Sequence, residues 1–84
     1  MNYVEKIIKL KDIVERIKKG RTGSQVQLAK ELRLSKTSLN RRFTELRELG
    51  AEIEFDNIMN TYYIGNNFSI TVDISKTREP QSRD

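Results

Sequence analysis

The side chains best suited to chemistry lie in one short segment, residues 32–50, and the chemistry they suit is hydrogen bonding to an anionic partner. Residues 33–42 contain four cations and no acidic residue. Within residues 36–44 the amide, hydroxyl and cationic side chains are Lys36, Thr37, Ser38, Asn40, Arg41, Arg42 and Thr44. Arginine and asparagine are the residues that pair with guanine and adenine in the DNA major groove. The same composition is also typical of an ordinary solvated helix face, so the neighbouring segments must decide between the two interpretations.

Spacing predicts that this segment is a helix over residues 35–49. Ser35 suits the N-cap because its hydroxyl can accept a free backbone N–H. Leu39, Phe43 and Leu46 recur at steps of four and three, which places them on one face. Gly50 follows, where a left-handed C-terminal cap is expected. The opposite face, which we call the polar face, consists of Lys36, Thr37, Asn40, Arg41 and Thr44.

A second capped helix precedes it, over residues 24–33. Ser24 is its N-cap, Leu28 and Leu32 lie one turn apart, and Ala29 is small enough to let a neighbouring helix cross closely. Such a short helix is unstable alone and must pack on the next one. Leu34 supplies the apolar anchor of the turn between them. The sequence therefore predicts a helix-turn-helix unit.

Residues 23–50, read as GSQVQLAKELRLSKTSLNRRFTELRELG, resemble the winged helix-turn-helix domain at the N-terminus of biotin-repressor-type bacterial regulators. The shared features are the small polar cap, the Leu-Ala helix, the hydrophobic-Ser turn and the ending LRELG. Residues 51–55 and 61–64 resemble the two strands of the wing, so the likeness covers roughly residues 10–64. It implies an α+β fold with three helices (3–19, 24–33 and 35–49) and a two-stranded wing (52–64), within one domain over residues 1–74.

The predicted wing departs from one that grips DNA strongly. Its tip, residues 56–60, has no lysine or arginine, and Glu52, Glu54 and Asp56 would repel phosphates. We expect the wing to be mainly structural, or to make a shallow contact. The side chains available for such a contact are Asn57, Asn60 and Tyr63.

The first helix carries a wider apolar face than one small core needs. Its core face is formed by Ile7, Leu10, Ile13, Val14 and Ile17. Val4 and Ile8 fall outside that arc. They either belong to a fraying first turn that touches the C-terminal part of the chain, or form a contact between subunits.

Alternation of Phe68, Ile70, Val72 and Ile74 with polar residues predicts an additional strand over residues 67–74. This strand could join the wing sheet, pack on the first helix or pair with a second subunit. A homodimer through Val4, Ile8 and residues 68–74 is therefore one expectation. Residues 75–84 are polar and charged, and we expect a disordered tail.

Composition excludes several classes of function. The chain has 84 residues, a net charge of +4, no cysteine and no histidine, so it lacks the ligands of zinc fingers and the groups of thiol or imidazole catalysis. No phosphate-binding loop or nucleophile motif occurs. We expect no enzyme activity, no cofactor, no metal site and no membrane span, and a cytoplasmic location because no targeting segment is present.

These observations predict sequence-specific binding of double-stranded DNA by a small prokaryotic or phage transcriptional regulator. Asn40 and Arg41 are the expected contacts to base edges, and Lys36, Thr37, Ser38 and Thr44 could reach bases or phosphates. The expected phosphate contacts are Arg21, Lys30, Arg33 and Arg42. Two alternatives stay open: a winged-helix module that binds another protein, and recognition of structured RNA.

Overall fold

The computed structural model describes residues 2–71, which form three helices followed by a two-stranded antiparallel sheet. The α+β prediction is confirmed at this level. The element bounds are α1 (Tyr3–Lys19), α2 (Gln25–Leu32), α3 (Lys36–Glu48), β1 (Ile53–Asp56) and β2 (Thr61–Ile64). They agree with the predicted helices to within the cap residues.

Each helix begins at a polar residue that caps its first turn. The Asn2 side chain accepts a hydrogen bond from the Glu5 backbone N–H at 2.8 Å, and Ser35 accepts one from Ser38 at 3.0 Å. Ser24 forms a reciprocal capping box with Gln27, whose side chain accepts from the Ser24 N–H at 2.7 Å. Such caps typically contribute about 1 kcal/mol each, so all three helix starts are fixed locally by the sequence.

The end of α3 is fixed in the same local way. Gly50 has a positive φ of 116°, and its N–H donates to the Arg47 carbonyl at 3.0 Å. The Ala51 N–H donates to the Leu46 carbonyl at 2.9 Å. This pair of hydrogen bonds is the Schellman motif, which favours glycine at this position.

One core joins the three helices to the sheet. The helices cross so that the predicted apolar faces meet, and Val14, Leu28, Leu39 and Leu46 are completely buried. The buried residues are Leu10, Ile13, Val14, Ile17, Leu28, Ala29, Leu39, Phe43, Leu46, Ala51 and Ile53. The predicted core positions in α2 and α3 are thus confirmed, while Ile7 and Leu34 pack at the edge of the core and are half-buried.

The β1–β2 hairpin is attached to α3 by aromatic contacts. Ile53 pairs with Ile64 and Phe55 with Tyr62 in the antiparallel register. The Tyr62 ring lies edge-on to Phe43 at 4.9 Å and to Phe55 at 4.8 Å between centroids. Burial raises the pKa of the Tyr62 phenol, against the opposing effect of the nearby positive charge of Arg47. The phenol therefore stays neutral at the edge of the core.

A hydroxyl network also attaches the hairpin to the connection between α1 and α2. The buried Thr22 Oγ1 accepts a hydrogen bond from the Tyr62 N–H at 2.9 Å and donates to the Gly23 carbonyl at 3.0 Å. The Thr22 N–H donates to the Thr61 Oγ1, also at 2.9 Å. Threonine side chains thus link the connection between α1 and α2 to the hairpin.

The additional strand predicted for residues 67–74 is absent over residues 67–71. Phe68 and Ile70 instead pack, half-buried, on the core of their own chain. Asn66 holds the start of this segment, because its side chain donates to the Gly50 carbonyl at 2.8 Å. Residues 72–74 and the predicted tail at 75–84 lie outside the described residues.

Replacing Thr22 by valine should lower the free energy of unfolding by about 1–3 kcal/mol, because the Tyr62 N–H would lose its acceptor in a buried site. Urea unfolding followed by circular dichroism measures this change. Thr37→Val is the matched control, since Thr37 is exposed on α3 and the same substitution there should change stability by less than about 0.5 kcal/mol. Equal losses in the two variants would show that the Thr22 hydroxyl does not hold the hairpin.

Candidate nucleic-acid interface

The polar face of α3 lies opposite the buried face and is uncovered by the rest of residues 2–71. Leu39, Phe43 and Leu46 are at most 2 % exposed, so the direction of the opposite side chains is set by core packing. All five members of the polar face are exposed: Lys36, Thr37, Asn40, Arg41 and Thr44. Four of them (Thr37, Asn40, Arg41 and Thr44) line a shallow open depression of 420 Å³ together with Glu45. Ser38 is half-buried beside the face, and its hydroxyl lies 3.1 Å from that of Ser35.

Glu45, an acidic residue at the margin of this face, is neutralised by two cations, whereas the exposed Glu48, one turn after Thr44, forms no ion pair within residues 2–71. Glu45 pairs with Lys6 of α1 at 3.0 Å and with the Nε of Arg42 at 2.9 Å. A hydrogen bond from Arg42 Nη2 to Glu45 Oε2 at 3.1 Å completes the contact. The Glu45 side chain is 26 % exposed, so the ion pairs are shielded in part from water. The carboxylate therefore adds little negative potential to the polar face.

This contact also separates Arg42 from the other predicted site residues. The Arg42 guanidinium is held by Glu45, and the side chain is 21 % exposed. By contrast, the preceding residue, Arg41, is exposed. A phosphate contact by Arg42 would therefore have to share the guanidinium with Glu45. The structure brings together the five residues of the polar face and leaves Arg42 at its margin.

The remaining predicted phosphate contacts carry positive charge without a carboxylate partner. Within residues 2–71, Arg21, Lys30, Arg33, Lys36 and Arg41 form no ion pair. By contrast, the ion-paired cations are Lys6, Lys11, Arg16 and Arg42. Lys9, Lys18, Lys19 and Arg47 also form no ion pair within that range, so uncompensated positive charge lies on α1 as well as on α3, at the turn before it and in the connection that contains Arg21.

Arg33 occupies a backbone conformation that favours glycine. It has φ 60° and ψ 42°, the left-handed region, at the end of α2. Its N–H donates to the Lys30 carbonyl at 3.1 Å, and the Leu34 N–H donates to the Ala29 carbonyl at 2.8 Å. This is again the Schellman arrangement, in which a residue with a Cβ is strained. A cation thus stands beside the polar face at a position where stability alone would favour glycine.

Gln25 is a residue of this surface that the sequence pattern did not reveal. It is the first residue of α2, and its Nε2 donates a hydrogen bond to Oδ1 of Asn40. The two residues are 15 positions apart, and no periodicity within one helix relates them. Only the crossing of α2 and α3 brings their side chains together.

The hairpin presents a different surface. Glu52 and Glu54 are exposed on its outer side, and the Asp56 carboxylate accepts hydrogen bonds from the N–H groups of Ile58 and Met59 at 2.9 and 3.1 Å. Ile58 is 93 % and Met59 is 69 % exposed. The tip therefore exposes two apolar side chains next to the acidic strand β1, and it carries no cation for a phosphate. Asn57, Asn60 and Tyr63 are exposed there as well.

Within residues 2–71, acidic side chains form no cluster of three or more that could hold a metal ion. None of the helices in that range combines the length and the apolar composition that crossing a bilayer requires.

The chain matches no known protein family, no curated protein and no solved structure, so its function has to be inferred from its own geometry.

Arg33→Gly should raise the free energy of unfolding by about 0.5–1 kcal/mol, because glycine adopts the left-handed conformation without the steric cost of a Cβ. Urea unfolding measures the change. Arg33→Lys is the control, since it keeps both the cation and the strained backbone and should leave stability near that of the native chain. A loss of stability in Arg33→Gly would show that the Arg33 side chain contributes contacts to the fold.

Proposed function

We propose that the chain binds double-stranded DNA in a sequence-specific manner, as a winged helix-turn-helix protein of the biotin-repressor type that regulates transcription in a prokaryote or phage. The observation that supports this proposal is the polar face of α3, which is exposed and cationic from Lys36 to Thr44, with the exposed Glu48 one turn further on at the end of the helix. In this proposal α3 is the recognition helix, and the β1–β2 hairpin is the wing.

The dimensions of α3 suit a DNA major groove. Its 13 residues give a length of about 20 Å, and a helix with its side chains is about 10–12 Å wide, close to the ~12 Å width of the groove. Asn40 and Arg41 stand near the middle of the helix. They would read adenine and guanine, and the smaller hydroxyls of Thr37 and Thr44 would contact neighbouring bases or phosphates.

The unpaired cations around the polar face would supply affinity and orientation. Arg33 in the turn before α3 and Lys36 in its first turn lie beside the bases that Asn40 and Arg41 would read. Contacts of this kind release counterions and fix the protein on the duplex without reading sequence. Lys30 and Arg21 would extend the same surface. The acidic strand β1 of the wing would lie away from the phosphates.

A homodimer through the N-terminal part of α1 would place two recognition helices on one duplex. Ile8 is 47 % exposed and Val4 is half-buried, so an apolar strip on α1 is available to a second copy. Phe68 and Ile70 pack on their own core and would contribute only their outer edges.

Docking of another protein is the second candidate, and the tip of the hairpin favours it. Ile58 and Met59 are apolar and exposed next to the acidic strand β1, a combination that a protein partner could bury. In this alternative the polar face of α3 would be an ordinary solvated surface.

Fluorescence anisotropy with a random-sequence DNA duplex tests the proposal. The native chain should bind at low salt, and the logarithm of its binding constant should fall against the logarithm of salt concentration with a slope of about −4 for phosphate contacts by Arg21, Lys30, Arg33 and Lys36. Arg33→Gly should reduce the magnitude of that slope by about 1, although it should be more stable than the native chain.

Lys11→Ala is the matched control for charge. It removes one positive charge from α1, where Lys11 lies near Glu15 at 3.9 Å, and it should leave the salt slope unchanged. Absence of duplex binding by the native chain at low salt would contradict DNA binding and favour docking. Preferential binding of an RNA duplex in competition would point instead to structured RNA.

A further inference from the structure

The amide of Asn40 is held by a second amide from the neighbouring helix. Gln25 is half-buried in the first turn of α2, Asn40 is exposed on α3, and the Nε2 of Gln25 donates to the Oδ1 of Asn40. Within residues 2–71 this is the hydrogen bond through which the Asn40 side chain contacts another helix. It joins a residue of the polar face to one outside it.

This hydrogen bond fixes the orientation of the Asn40 amide more than it stabilises the fold. Both amides can bond to water when separated, so an exposed hydrogen bond of this kind contributes little net stability. The terminal torsion of an asparagine side chain is broad and allows the amide to turn over. Donation from Gln25 restricts this rotation, because it holds Oδ1 of Asn40 on the side of α2 and leaves both Nδ2 hydrogens available.

A fixed amide direction has a chemical consequence in a major groove. Adenine presents an acceptor, N7, beside a donor, the N6 amino group, whereas guanine presents two acceptors, N7 and O6. An asparagine amide matches adenine because Nδ2 donates to N7 and Oδ1 accepts from N6. The Oδ1 of Asn40 has a second lone pair, so it can accept from adenine and from Gln25 together. Against guanine, the same amide orientation would place Oδ1 opposite O6, so that two acceptors would face each other.

We propose that Gln25 is a positioning residue that makes Asn40 selective for adenine over guanine at one position of the DNA site. This inference rests on the proposed function and adds to it a specific base and a residue from outside the recognition helix. Gln25 acts through Asn40, and its removal relaxes the base preference at that position without removing binding.

The test begins with selection of preferred duplexes from a randomised pool by the native chain. Binding constants are then measured for Asn40→Ala, Gln25→Ala and the double variant on the selected duplex, and on duplexes with each base pair changed in turn. Asn40→Ala should lose a preference for adenine of about 5- to 100-fold, the range expected for one bidentate contact, at one position. Gln25→Ala should lose part of that preference at the same position and at no other. The double variant should match Asn40→Ala there.

Gln25→Glu is the second variant, since it keeps the size of the side chain and suits the first turn of a helix. A glutamate at this place accepts and cannot donate, so Asn40 would turn its Nδ2 toward it. The adenine preference should then fall at that position, while the added negative charge lowers affinity evenly across all sequences. Independently of DNA, the side-chain amide NMR signals of Asn40 should shift in Gln25→Ala.

The outcomes distinguish failure of the Gln25 proposal from failure of DNA binding itself. Even loss of affinity on all sequences in Gln25→Ala, or a changed preference at a position other than that of Asn40, would overturn the role of Gln25 and leave DNA binding intact. Unchanged Asn40 amide signals in Gln25→Ala would overturn it as well. Failure of the native chain to bind any duplex at low salt would overturn both proposals.

Discussion

The rotation of α3 about its own axis is the constraint on which the remaining surface depends. Leu39, Phe43 and Leu46 are buried on one side, and burial of each such side chain is worth about 1.5–3 kcal/mol. Turning the helix far enough to hide Asn40 or Arg41 would expose those three residues to water. The free energy lost by that rotation exceeds the stabilisation that a surface hydrogen bond provides, so core packing directs the polar face outward.

Charge around α3 follows the same division between a packed side and an open side. The carboxylate of Glu45 is paired with Lys6 and Arg42 at the margin of the core, and the exposed Glu48 lies one turn beyond Thr44 at the end of the open side. Arg33 is held in a left-handed conformation at the turn, where glycine would be more stable. A cation thus occupies a turn position that its backbone conformation does not favour.

Local sequence patterns were sufficient to predict most of the fold. They did not predict the contacts between residues that are distant in the sequence. Capping at Ser24 and Ser35, the spacing of Leu39, Phe43 and Leu46, and the glycine at position 50 each act within a few residues. The links from Thr22 to Tyr62 and from Gln25 to Asn40 join residues 40 and 15 positions apart, and no local pattern encodes them. The strand prediction was wrong over residues 67–71 because the alternation of Phe68 and Ile70 also fits an extended segment packed on the core.

The most direct measurement is the change in backbone amide NMR signals when the isotopically labelled chain is titrated with a random-sequence DNA duplex. If the polar face of α3 is the binding surface, the largest changes should fall on residues 36–44 and on Gln25 and Arg33 beside them. The acidic strand β1 of the hairpin should change little. Changes confined to Ile58, Met59 and the hairpin edge, or no changes at low salt, would contradict the account.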